Sequence, residues 1–97
     1  MSRPKKVRII RKKPQIMQFS PRGRIGRPGS IELKTEEFEA IRLADHLDLG
    51  QRDAAGFMGI SQQTFSRILK NGRKKLAKAL TKGLIIHIKG GDFKIEK

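Results

Sequence analysis

The chain has no cysteine, no tryptophan and no tyrosine, and only nine acidic residues among its 97. Without cysteine there is neither a disulfide nor a thiolate metal site. Without Trp or Tyr the core is expected to be aliphatic, with phenylalanines as its anchors. No apolar run approaches the roughly 20 residues that span a bilayer. The N-terminus is basic but lacks the apolar segment of a secretion signal, so a cytoplasmic protein is the simplest expectation. Also missing are a Gly-rich phosphate loop and a nucleophile constellation. His46 and His87 are isolated, with no second ligand at metal spacing. The expectation is a protein that is not an enzyme and takes no cofactor and no metal.

A chain of this length allows one modest domain, burying roughly 65% of its unfolded surface. What it has in excess is positive charge: 23 Lys and Arg give a net charge of +14. Such an excess favours a polyanionic partner. The charge is also sorted along the chain. Residues 1–30 hold ten bases and no acid, residues 31–50 six acids and two bases, and residues 51–82 eight bases and one acid. Two basic segments would face a polyanion and the acidic one would face away.

Three regions follow from this pattern. Residues 1–30 contain all four prolines and read as an extended basic arm, with Val7-Arg8-Ile9-Ile10 as a short strand. Residues 31–82 read as helical. Thr35 is a good N-cap followed by Glu36 and Glu37. Phe38, Ala40, Ile41, Leu43, Ala44 and Leu47 then give an amphipathic helix to about His46. A second helix spans about 51–58, with Ala54, Ala55 and Met58 inward. Gly59 and Ile60 make a turn, with Gly59 left-handed. Ser61 caps a third helix whose apolar positions are Phe65, Ile68, Leu69, Leu76, Ala79 and Leu80. Gly72 either interrupts that helix or permits close packing, and one continuous helix to about Thr81 is expected. Residues 83–97 read as a β-hairpin with a Gly90-Gly91 turn. An isolated hairpin is marginal in water, so it must pack on the helices, join an N-terminal strand or pair with a second subunit, and a homodimer is expected.

These residues carry a resemblance. Leu33-Lys34-Thr35-Glu36-Glu37-Phe38-Glu39-Ala40-Ile41-Arg42-Leu43, Gln51 with Ala54-Ala55, Met58-Gly59-Ile60-Ser61, Thr64-Phe65 and Arg73-Lys74-Lys75-Leu76-Ala77 resemble region four of bacterial sigma factors. That region is the helix-turn-helix that reads the promoter −35 element. The whole chain is similar to a small family of uncharacterised, predicted DNA-binding proteins. It shares their arm (Arg3-Pro4-Lys5-Lys6), their Phe19-Ser20-Pro21-Arg22-Gly23 segment and their Gly90-Gly91 hairpin. It departs from them in having no cysteines and in carrying Gly72 where Ala is usual. The resemblance implies a mainly α fold: a sigma-region-four-like helix-turn-helix within a three-helix core, a C-terminal β-hairpin and an extended basic N-terminal arm.

The candidate site is the outer face of the third helix. Gln62, Gln63, Thr64, Ser66, Arg67 and Lys70 are types that reach base edges and phosphates, Gln pairing with adenine and Arg with guanine. Arg52, Arg73 and Lys74 are candidates for phosphate contact. In the arm, Arg3, Lys5, Lys6, Arg8 and Arg11 to Lys13 would contact backbone, with Arg24 and Arg27 on phosphates or in the minor groove. Residues 21–28 resemble a loose AT-hook, which places an Arg in a narrow minor groove. The bland alternative for each is a solvated polar face. Glu36, Glu37 and Glu39 are better explained by helix capping than by acid–base chemistry.

The expected function is sequence-selective binding of double-stranded DNA by a nucleoid-associated transcriptional regulator. Two rivals share the charge pattern. One is an RNA-binding or ribosome-associated accessory protein. The other is a module that docks on RNA polymerase through the acidic helix between Glu36 and Asp48.

Overall fold

The computed structural model describes residues 7–23, 26–91 and 93–95. Strands β1 (Arg8–Ile10), β2 (Gln18–Phe19) and β3 (Ser30–Leu33) come first. Helix α1 (Thr35–Ile41) follows and runs on as a π-helical turn (Arg42–His46). Then come α2 (Gln51–Phe57), α3 (Gln62–Lys82), β4 (Ile85–Ile88) and β5 (Phe93–Ile95). Three helices and several short strands make an α+β arrangement, with α3 packed on both α1 and α2.

The helix boundaries have local causes. At the start of α1 the capping residue is Lys34, and Thr35 lies inside the first turn, buried. The Glu37 carboxylate does the capping, accepting the Lys34 backbone N–H at 2.9 Å. That orphan donor is the one a capping box satisfies. The helix ends through its π-helical turn, where the Leu47 N–H reaches the Arg42 carbonyl at 2.9 Å. Asp48 then takes φ 59° and turns the chain. Helix α3 is continuous through Gly72 and stops at Gly83, whose φ of 64° is the left-handed cap that Gly takes without steric cost.

The core lies between the helices. Ala54, Ala55 and Met58 of α2 and its turn meet Phe65, Ile68 and Leu69 of α3, with Ala40, Leu43 and Ala44 closing the third side. Of the nine positions expected inward on α2 and α3, Ala54, Ala55, Met58, Phe65, Ile68, Leu69 and Ala79 are buried and Leu76 is half-buried. Leu80 and Leu47 are not: they are 82% and 47% exposed. Periodicity alone placed both of them inward.

The two ends of the chain depart from the expected arm and hairpin. β4 and β5 are not paired with each other. β4 is the centre of a three-stranded sheet, antiparallel to β2 and parallel to β3. Both its edges are therefore occupied, and β5 pairs in parallel with β1 instead, Ile10 facing Ile95. Gly90-Gly91 is a crossing rather than a hairpin turn. The Gly90 carbonyl accepts the Thr35 N–H at 3.2 Å, and a Cβ on Gly91 would collide with the Glu36 carboxylate. The argument for a dimer from an unpartnered hairpin disappears, since both strands find partners in their own chain.

Strand β1 is likewise part of the folded body. Ile10 is fully buried in the helical core, a burial that contributes about 1.5–3 kcal/mol for a side chain of its size. The Ile9 N–H donates to the Met58 carbonyl at 3.0 Å, so β1 is fastened to the turn between α2 and α3.

Candidate nucleic-acid interface

Helix α3 is held from three directions. At its start, Ser61 Oγ accepts the Thr64 N–H at 3.1 Å and donates to Thr64 Oγ1 at 2.9 Å. One turn on, the Ser66 hydroxyl donates to Gln51 Oε1, tying α3 to the first residue of α2. At mid-helix Gly72 meets α1 closely. A Cβ there would stand 3.0 Å from Ile41 Cδ1 and 3.1 Å from Glu37 Cβ. The glycine thus admits α1 to the helix surface, and Lys75 Nζ clasps Glu37 Oε1 beside it at 2.7 Å.

These attachments leave one face of α3 open. Gln63, Arg67, Lys70, Lys74 and Lys78 are all exposed. At 100° per residue they fall within a stripe about 80° wide and, at 1.5 Å per residue, about 22 Å long. No acid occurs among the 21 residues of α3. Gln62 is exposed too, but about 80° round the helix from the nearer edge of the stripe.

The other candidates divide by what already holds them. Ser66 and Thr64 are half-buried, and their hydroxyls serve the α2 tie and the cap. They position the helix rather than project from it. Arg73 is turned aside to Asp45, with Nη2–Oδ1 at 2.6 Å and Nε–Oδ2 at 3.0 Å. Those hydrogen bonds raise the Arg73 pKa and lower that of Asp45, against a small opposing effect of burial in each. Arg52 is exposed in the first turn of α2, beside Asp53.

Arg8 is not a free arm cation, since its Nε lies 3.3 Å from Glu36 Oε2 and both side chains are nearly buried. Arg27 is exposed. Arg3, Lys5, Lys6 and Arg24 lie outside the described residues, and so does part of the segment that resembles an AT-hook.

The acids of α1 turn inward. Glu36, Glu37 and Glu39 are 5%, 4% and 0% exposed. Beyond capping, they are cross-links. Glu39 accepts from Arg42 Nε at 2.7 Å, Arg42 Nη2 at 3.0 Å and the Arg11 backbone N–H at 2.7 Å. Side-chain hydrogen bonding to Glu39 raises the Arg42 pKa most, burial opposing it. The i,i+3 spacing of Glu39 and Arg42 was a signal for this pair; nothing local pointed to Arg11. Arg11 also donates through Nε to the Phe57 carbonyl at 3.1 Å and lies 5.4 Å from that ring's centroid.

Among the described residues no helix is long and apolar enough to cross a membrane. Nor do any three of their His, Asp or Glu side chains cluster as metal ligands.

Comparison with known proteins places these features in a lineage. The UPF0251 protein of Methanothermobacter thermautotrophicus is 46% identical over 93 residues, covering 96% of this chain and 49% of the relative. That of Syntrophobacter fumaroxidans is 46% identical over 92 residues, covering 94% and 59%. A Methanococcus maripaludis UPF0251 protein is 45% identical over 96 residues, covering 98% and 74%. The chain thus spans about half the length of the first of these relatives. No solved structure matches it. The match to the family described as "Protein of unknown function DUF134" runs over residues 1–96, and the chain belongs to that family.

Proposed function

We propose that this protein binds double-stranded DNA with sequence preference, as a transcriptional regulator, laying the outer face of α3 in the major groove. The observation that carries the reading is the stripe Gln63, Arg67, Lys70, Lys74 and Lys78: exposed, free of acids, and borne on a helix fixed by Gly72 and Ser66. A major groove about 12 Å wide admits one α-helix. The α2–turn–α3 unit has the order of a helix-turn-helix, in which the second helix enters the groove. In this reading Gln62, Gln63 and Arg67 address base edges. Lys70, Lys74 and Lys78 hold phosphates, joined by Arg52 from α2 and by Arg27 and the N-terminal basic residues. The sigma-region-four comparison belongs to the same proposal, as does a place at the nucleoid.

An interaction module docking through the acids of α1 has less support, because three of those carboxylates are buried. RNA binding draws some support from Phe19 and Phe57, which are 51% and 43% exposed, since RNA loops are read by stacking on aromatics. One titration separates the two nucleic acids. Fluorescence anisotropy with duplex DNA is followed from 50 to 200 mM salt, with structured RNA as competitor. If six to ten phosphates are contacted, affinity for DNA falls about 10³–10⁵-fold over that range. A flat salt response, or displacement of the duplex by equimolar RNA, would reject the DNA reading.

A further inference from the structure

A cavity of about 440 Å³ opens between the three-stranded sheet and the helices. Its inner surface is apolar: Leu33, Phe38, Ile41, Leu76, Ile86 and Ile88 line it. Its volume lies within the roughly 300–1,000 Å³ of small-molecule sites. The outer wall includes Ile16 and Phe19, which stay 55% and 51% exposed. Among the described residues, every ionisable side chain on the lining is a base, namely Lys12, Lys13, Arg42 and His46. Arg42 is held by Glu39. Lys12 and Lys13 are exposed beside the apolar wall, and among the described residues no carboxylate lines the cavity to neutralise them.

An apolar chamber with uncompensated cations has a definite complement. We infer that this cavity binds a small single-chain amphiphile, with its apolar tail among Leu33, Phe38 and Ile88 and its anionic head at Lys12 and Lys13. Apolar lining supplies the driving force and a few placed charges fix the orientation. A second copy of the chain suits the cavity less well, since it would bring a further +14 of charge toward the same lysines. Leu76 belongs to α3, and Ile41 abuts Gly72. An occupant would therefore bear on the proposed reading helix. That consequence rests on the DNA-binding reading; binding of the amphiphile does not.

The test is a titration of the isotopically labelled full chain, followed by amide chemical shifts. The probes are decanoate and decyl phosphate, both below their micellar concentrations, with decanol, decyltrimethylammonium and acetate as controls. Saturable shifts are expected at Leu33, Phe38, Ile86 and Ile88, with a Kd below about 1 mM for at least one anionic probe. Whichever of the two binds more tightly identifies the head group. The uncharged and cationic chains should bind at least about tenfold more weakly, and so should decanoate to a variant with Lys12→Glu and Lys13→Glu. Non-saturating shifts spread along the exposed face of α3 would overturn the inference, as would equal binding of decanol. So would light scattering that shows a dimer forming as the Phe19 and Ile86 amides shift with protein concentration alone. Adding decanoate to the duplex titration reads the effect on DNA separately.

Discussion

Replacing Glu39 with alanine removes the acceptor on which α1 and the N-terminal segment converge. The carboxylate is 0% exposed and takes three hydrogen bonds, two from Arg42 and one from the Arg11 backbone. Its loss leaves the Arg42 guanidinium, only 15% exposed, without its counter-charge. Breaking a buried pair from one side costs about 3–5 kcal/mol. The residual exposure of Arg42 puts Glu39→Ala near the lower end, about 3 kcal/mol. That is a large part of the roughly 5–15 kcal/mol that holds a domain folded. In urea, with an m value of about 1 kcal/mol/M for a small chain, the midpoint should fall by about 3 M, or the variant should be unfolded without denaturant. Glu39→Gln keeps one acceptor and should lose less. Joint replacement by Glu39→Met and Arg42→Leu should recover part of the loss, because an apolar pair of similar volume is often neutral or better. It should not recover all of it, since the Arg11 N–H still loses its acceptor, at about 1–3 kcal/mol. A loss under about 1 kcal/mol for Glu39→Ala, or a double variant no more stable than the single one, would refute the reasoning.

Three further outcomes are expected. Gly72→Ala gains about 1 kcal/mol of helix propensity but crowds Ile41 and Glu37 at a cost of about 1–3 kcal/mol. The Ile41 tip can yield while Glu37 Cβ cannot, so thermal melting should fall by several degrees, and a rise would contradict the close approach. Asp45→Asn should change stability by less than about 1 kcal/mol, because the pair with Arg73 is exposed. The folded-state pKa of Asp45 is lowered, so the contribution of the pair is present above the ordinary carboxylate value of 3.8 and lost as pH falls below it. Urea midpoints of wild type and Asp45→Asn should therefore converge at acid pH, and a gap that widens would oppose this assignment. Lys70→Ala and Lys74→Ala should each reduce the slope of log affinity against log salt by about 1 without changing the preferred sequence.

What was legible in the sequence follows the range of the interactions involved. The inward positions of α2 and α3, the Ser61 cap and the Gly83 stop depend on neighbours within a turn or two, and periodicity exposes them. Gly72 was legible only as an ambiguity, because its meaning lies in Ile41 and Glu37 of another helix. The sheet was misread where pairing is non-local. Leu84 to Ile88 followed by Gly90-Gly91 has the local form of a hairpin, yet the edges of β4 are taken by residues 18–19 and 30–33. Ile10 looked like part of an extended arm because nothing near it in sequence reveals the core it enters. In the candidate site, residue type suggested which side chains can meet nucleic acid. Only the structure shows that Ser66, Thr64, Arg73 and Arg8 have partners in the fold, while Gln63, Arg67, Lys70 and Lys74 lie together on an open face.

The most direct test of that face is selection of bound duplexes from a random pool, run in parallel on wild type and Arg67→Ala. Wild type should enrich a defined site. Arg67→Ala should enrich the same site with its preference relaxed at one or two adjacent base pairs, a loss of about 1–3 kcal/mol of discrimination there. Enrichment of no sequence by the wild type, or an identical site with unrelaxed preference for Arg67→Ala, would contradict the assignment of α3 as the reading helix.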